Sequence, residues 1–294
     1  MKAAPFDYVR ADSVASCVRA LQEADGDGKI IAGGQSLAPV LAMRLARPSL
    51  LVDINRIPGI ARIERRDDVL RMGALVRHAD LLDQQHSPLL ASAAKWIGHP
   101  AIRSRGTLGG SISHSDPSAE WPVVAAALEA TLTIHGPSGS RQTNAGDFFV
   151  GPLEPDLQTD DVLTGIDMPI PETWGFAELS RRHGDFGLVM AVTALVHGSW
   201  RVAIGGIAGV PLRVPEAEAL LDDSTAPAAV RAAAQAAAAA VSPGDDLHAS
   251  SQYRRAMVEE YTHRSITQAV TQGTTHQTPG AATRASSDHT AGVS

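Results

Sequence analysis

Two glycine pairs constrain this chain more than any other feature. The first, Gly33-Gly34, follows an apolar run over 29–32 and precedes helical spacing over 37–45. The second, Gly109-Gly110, lies within Gly106-Thr107-Leu108-Gly109-Gly110-Ser111. Glycine tolerates positive φ and leaves the backbone open to close approach. Amides at a helix start are unpaired and lie at the positive end of the helix dipole, so they suit an anion. The stretch Ile30-Ile31-Ala32-Gly33-Gly34-Gln35-Ser36-Leu37 has that strand-to-helix form, and Gln35, Ser36, Thr107 and Ser111 add neutral donors. Two such turns suit a ligand with two phosphates and a long body. Plain tight turns are the alternative, and the residues alone leave both open. Neither turn matches GxGxxG or a loop ending in Gly-Lys-Ser/Thr, and Ile204-Gly205-Gly206-Ile207-Ala208-Gly209 fails the same test. A nicotinamide Rossmann domain and a P-loop enzyme are therefore disfavoured.

Around these turns the spacing predicts alternating elements. Asp12 or Ser13 can cap a helix with Val14, Cys17, Val18 and Leu21 on one face. Strands are predicted over 29–32 and 50–54, and a hairpin over 61–64 and 69–72. Helices are predicted over 78–84, from Pro88 behind Ser87, and over 117–128 with Asp116 as N-cap. A second hairpin spans 131–135 and 140–144, and a strand runs over 162–168. Beyond Trp174, strands are predicted over 176–179, 190–197 and 200–207, then helices over 214–221, 227–241 and 250–270. From residue 272 the chain is polar and small, and disorder is expected through 294.

The composition excludes several functions. With 294 residues about two domains are expected, and 44% hydrophobic content suffices for real cores. The net charge of −7 argues against nucleic acid as a partner. One cysteine, Cys17, excludes an intrachain disulfide and a cluster held by four thiolates of this chain. No run of 18 apolar residues predicts a membrane span, and no apolar signal core is seen, so the cytoplasm is the expected compartment. No histidine pair has metal-ligand spacing on a predicted helix, so no metal is expected. Ser111, His114 and Asp116 are close in sequence, but a triad is defined by geometry and a polar loop is the plainer reading.

Taken in order, the motifs carry a resemblance. They are Ala32–Leu37, Gly106–Ser111, Asp116-Pro117-Ser118-Ala119-Glu120, Arg181-Arg182-His183-Gly184-Asp185-Phe186 and Ile204-Gly205-Gly206-Ile207. Over about residues 1–272 the chain resembles the medium, FAD-binding subunit of the molybdenum hydroxylases, a family that includes carbon monoxide, xanthine and nicotine-type dehydrogenases. The resemblance implies an α+β fold: an FAD-binding PCMH-type domain of two α/β subdomains, then a C-terminal domain with a three-stranded antiparallel sheet and a helical bundle. The implied boundaries are 1–173, with subdomains about 1–55 and 56–173, then 174–271 and a tail over 272–294. It implies noncovalent FAD, its pyrophosphate held by the two glycine turns from Ile30 to Leu37 and from Thr107 to Ser111. Glu120 falls near the ribityl and pyrophosphate region; Asp116 is a further candidate, or only the helix cap. Ile97 and Leu163 match positions that pack on the cofactor, and Phe186 matches an aromatic near the flavin ring. Ser111 stands where the family usually has Asn, and Phe186 where Tyr or Trp is frequent.

The resemblance further implies partners. A large subunit would carry the molybdenum-pterin cofactor and a small subunit the 2Fe-2S clusters. This chain would collect their electrons on FAD and pass them to an external acceptor. The organic redox chemistry would belong to the flavin, so no catalytic acid–base residue is named. An N-heterocyclic or related catabolic compound is the expected substrate of the complex. The rivals are a stand-alone flavin oxidase or reductase of the same fold, and a scaffold subunit without FAD.

Overall fold

The computed structural model describes residues 2–276. The chain opens with β1 (Asp7–Arg10), α1 (Val14–Glu23), β2 (Gly28–Ile31), α2 (Leu37–Ala42) and β3 (Leu50–Asp53). The three strands form a parallel sheet in the order β1-β3-β2. Ser13, not Asp12, is the N-cap of α1: it accepts from the Ser16 amide, and Ser16 returns the bond to the Ser13 amide. That helix buries Cys17, Val18 and Leu21 against Val52 and Ile54. Sequence patterning gives no sign of β1, because all four of its residues are exposed and no apolar alternation marks it.

The next segment contains β4 (Ile63–Arg66), β5 (Val69–Gly73), α3 (Pro88–Ala94), α4 (Pro100–Arg103), α5 (Leu108–His114), α6 (Glu120–Ala127), β6 (Thr131–Gly136), β7 (Gly139–Asn144), α7 (Ala145–Phe148), β8 (Phe149–Gly151), β9 (Glu154–Pro155) and β10 (Val162–Pro169). Five of these strands make an antiparallel sheet in the order β4-β5-β10-β6-β7. The helix predicted over 78–84 is only a 3-10 turn, His78–Leu81. The helix predicted from residue 117 starts later, with Ala119 as N-cap. Asp116 accepts from the Ser118 amide at 2.9 Å, so it closes a turn ahead of the helix and does not cap it. Every residue of α6 is buried, which suits its apolar sequence.

The last segment holds β11 (Thr173–Leu179), β12 (Val189–Val196), β13 (Ser199–Gly205), β14 (Leu212–Arg213), α8 (Pro215–Asp223), α9 (Pro227–Ala240) and α10 (Ser251–His276). Three long antiparallel strands form the sheet, and the two-residue β14 extends its edge. The sheet is covered on both faces. Phe176, Met190 and Val192 join the core around α6, while Val189, Ala191 and Val202 join the core beneath α8, α9 and α10. Alternate residues of β12 thus serve different cores, so the strand reads as an unbroken apolar run. Helix α10 continues to His276, past the predicted end at 270; the rest of the expected disordered tail lies outside the described residues. Among the described residues no helix is long and apolar enough to cross a membrane.

Helix α10 meets β11 backbone to backbone. A Cβ on Gly175 would overlap the Ser265 carbonyl, lying 2.7 Å from its carbon. Gly175→Ala should therefore destabilise the fold by about 1–3 kcal/mol, as overpacking does. Chemical denaturation should show the loss, and an unchanged midpoint would refute the close contact.

Candidate cofactor site

The first glycine turn sits at the end of the parallel sheet. Ile31 on β2 and Asp53 on β3 are in register, so both strands end at the same edge. Parallel sheets bind ligands beyond such carboxyl ends. A cleft of about 240 Å³ lies there, lined by Ile31, Ala32, Gly33, Gly34 and Gln35 with Tyr8, Asp53, Asn55 and Arg105. Gly34 has φ +71°, a conformation that L side chains rarely adopt. Among the described residues, none of the amides from Gly33 to Leu37 meets an acceptor within the chain. Five consecutive unpaired donors at a helix start form an anion cradle. Gln35 is not one of the free side-chain donors, because its amide nitrogen bonds the Gly33 carbonyl at 3.0 Å and braces the turn.

The two turns abut. A Cβ on Gly33 would overlap the Arg105 carbonyl oxygen and sit 2.8 Å from Gly106 Cα. Hydrogen bonds lock the contact. The Arg77 guanidinium donates to the Arg105 carbonyl and, at 2.6 Å, to Asn55 Oδ1. Asn55 Nδ2 donates to the Ala32 carbonyl at 2.8 Å and to Asp53 Oδ1 at 2.7 Å. One arginine and one asparagine thus join both glycine turns to the end of β3.

The second turn has a different chemistry from the first. Its amides are spent inside the fold: Leu108 donates to Val76, Gly109 to Ala74, Gly110 to Thr107 Oγ1 and Ser111 to the Thr107 carbonyl. Thr107 is the N-cap of α5, a helix that the glycine-rich sequence conceals. This turn therefore offers an exposed Gly110 surface and the half-buried Ser111, not a row of free amides. His78 supports it from below, with its ring against Gly106. Trp121 Nε1 donates to His78 Nδ1 at 2.9 Å, and burial, then Arg77 and Arg103, lower the imidazole's pKa to about 4. The ring is neutral, and its proton sits on Nε2.

The other sequence candidates separate. Ile31 and Ala32 line the cleft, whereas Ile30 packs into the core beside α1. Ser36 is exposed and Leu37 half-buried at the start of α2. Ile97, Leu108 and Leu163 lie in the large core, which supports the site without giving it polar groups. Phe186 is 69% exposed, an aromatic free to meet another surface. Cys17 is fully buried, and burial pushes its thiol up to about 12, so it is no nucleophile for a flavin link.

Glu120 is buried at the start of α6, and burial, reinforced by Asp116, raises its pKa to about 7. Sequence reading missed its companion, Glu178 on β11, raised to about 9 by burial and then by Glu120. It also missed Tyr8, Asp53, Asn55, Arg77, His78 and Arg105. Only Arg105, adjoining the second glycine turn, carried a local signal; the others converge through the fold.

This site is a cleft at a parallel-sheet edge, lined by backbone amides that suit an anion and adjoined by a second glycine turn. A family profile described as FAD binding domain in molybdopterin dehydrogenase matches residues 4–171, and one described as CO dehydrogenase flavoprotein C-terminal domain matches 174–269. The nicotine 6-hydroxylase medium subunit of Paenarthrobacter nicotinovorans is 41% identical, the match covering 85% of this chain and 92% of that one. The carbon monoxide dehydrogenase medium chain of Hydrogenophaga pseudoflava is 34% identical, covering 89% and 96% respectively. The structure of quinoline 2-oxidoreductase from Pseudomonas putida 86 superposes with a TM-score of 0.87 at 34% identity, covering 93% of this chain and 99% of that one. The chain belongs to the family of FAD-binding medium subunits of molybdenum-containing dehydrogenases.

Gly33→Ala should force the turns apart, and a cost of about 1–3 kcal/mol at the site would weaken cofactor binding by about 5- to 150-fold. Flavin content after gel filtration measures this, with Gly146→Ala as control, since a Cβ there meets only Asn144 Oδ1 at 3.4 Å. The two glutamates set a pH dependence. Their folded pKa values lie above the ordinary 4.5, so stability is full below that value and falls as pH rises through about 7 and about 9. Glu178→Gln should flatten the alkaline loss in melting curves.

Proposed function

We propose that this chain holds FAD noncovalently and relays electrons within a molybdenum hydroxylase complex. The supporting observation is the row of unpaired amides from Gly33 to Leu37, facing a second turn that no side chain of Gly33 obstructs. Those amides, with Ser36 and Arg105 nearby, fit a diphosphate by charge and hydrogen bonding. The Gly110 surface and Ser111 fit the opposite side of the cofactor, and Glu120 its ribityl region. When bound, FAD supplies the capacity to take electrons and release them to another acceptor. The protein's part is to bind and orient it. Arg77 and Asn55 hold the two turns at a fixed separation, and neutral His78 keeps a second cation out of their support.

The electrons come from the iron–sulfur clusters of a small subunit, after substrate oxidation on a large molybdenum-pterin subunit, and leave to an external acceptor. The relatives named for nicotine and quinoline favour an N-heterocyclic substrate for the complex. The assembly works in the cytoplasm. Phe186, aromatic and exposed in the loop after β11, is the residue proposed to border the flavin ring.

Purification tests this reading. The chain, expressed with its two partner subunits and also alone, should carry a flavin spectrum that passes to the supernatant on acid precipitation. A colourless protein that takes up no added FAD overturns the proposal. Flavin retained in the pellet would overturn noncovalent binding.

A further inference from the structure

Two distant segments build a basic patch on the surface. The loop after β11 carries Arg181, Arg182 and His183, all exposed, ahead of Phe186. The connection from α3 to α4 carries Lys95 and His99, exposed as well. The segments touch. The Trp96 and His183 rings lie 5.5 Å apart between centroids. A Cβ on Gly184 would lie 2.7 Å from His99 Cε1 and 2.9 Å from the Gly98 carbonyl oxygen. Gly184 has φ +89°, so the loop turns where it meets that backbone. Arg103 Nη1 donates to the Ile97 and Gly98 carbonyls at 3.0 and 2.8 Å and braces the other side of the contact.

The charge here is concentrated and uncompensated. Among the described residues, Lys95, His99, Arg181, Arg182 and His183 form no ion pair. Asp185, half-buried, is the acid of this loop. The whole chain carries −7, so the patch runs against its general charge. Apolar surface lies among the cations. Phe186 is 69% exposed, and Ile102 is 37% exposed beside Gly98, where a Cβ would lie 3.0 Å from Ile102 Cβ. Aromatic and arginine side chains are enriched where proteins bind one another. Permanent subunit interfaces are large, apolar and poor in charge at their centres, whereas brief redox encounters use small, charge-steered contacts. This patch has the second character. It also adjoins the cofactor site: the Ile102 amide bonds the His99 carbonyl and the Gly106 amide bonds the Ile102 carbonyl, each at 2.8 Å. One helical turn thus joins the patch to the second glycine turn.

We propose that this patch docks the external electron acceptor, and that the acceptor is a redox protein with an acidic face. The inference rests on the FAD site proposed above. Arg181 and Arg182 steer the partner, and Phe186 and Ile102 give the contact its apolar centre. Two acceptor molecules, docking in turn, each take one electron from the reduced flavin. The protons taken up on reduction return to solvent.

The test is a calorimetric titration of the purified complex, all proteins oxidised, with cytochrome b5 as the acidic probe and cytochrome c as the basic one. Cytochrome b5 should bind, with an affinity that falls steeply as salt rises, and cytochrome c should not. Arg181→Glu combined with Arg182→Glu should weaken cytochrome b5 about tenfold or more and admit cytochrome c. Reduction of each cytochrome by the prereduced complex, followed by stopped flow, should keep the same order. Equal binding of cytochrome b5 by wild type and variant overturns the proposal, and so does a wild type that binds neither cytochrome or prefers cytochrome c. A wild type that binds inorganic pyrophosphate through these arginines but no cytochrome overturns it in favour of a small anionic acceptor. Loss of the small subunit from the variant on gel filtration overturns it too, and assigns the patch to a subunit interface. Should the double variant fail to fold, Arg182→Gln decides, and an affinity for cytochrome b5 equal to that of the wild type overturns the patch. A wild type without flavin overturns the FAD site alone, because the cytochrome titration needs no flavin.

Discussion

Everything about this site depends on a backbone meeting a backbone. Gly33 lies against the Arg105 carbonyl and Gly106, and any side chain there would push the two turns apart. The contact brings the loop after β2 onto the connection between α4 and α5, so the cleft is made where two distant segments of the chain meet. Arg77 and Asn55 fix the spacing with hydrogen bonds, one of them from a charged donor to a carbonyl. The arrangement divides the labour. The first turn keeps its amides unspent, and the second spends its own on holding α5 to the end of β5.

The C-terminal sheet performs a different task. With α6 on one face and α8, α9 and α10 on the other, it has no solvated face through most of its length. The gain in apolar burial comes with a penalty, the sealing of Glu178 among apolar neighbours. A purely structural sheet would place leucine or methionine there, as β12 does with Met190. Retaining a carboxyl at such a place is a local conflict of the kind that marks functional sites.

How much of this could be read from the residues depended on how local each signal was. The C-terminal strands and helices were legible because β12 is an unbroken apolar run and Pro215 and Pro227 sit at helix starts. The glycine turns were legible as turns, and the first as an amide cradle. Strand β1 was hidden, since Asp7–Arg10 has no buried face to leave a pattern. Helix α5 was hidden by its own Gly109-Gly110, which lowers helix propensity while allowing close packing on Ala74. Asp116 looked like a cap because capping residues and turn residues are the same types. The Arg77–Asn55 lock and the Glu120–Glu178 pair were beyond reach, because nothing in a local window says which distant side chains the fold will bring together.

Reduced flavins pass electrons to dioxygen, and the resulting peroxide attacks thiolates first. The single thiol of this chain lies sealed under α1 and stays protonated. This flavin-binding chain thus presents no exposed sulfhydryl to such by-products. Its ageing would be written in other side chains, beginning with methionines near the surface such as Met43.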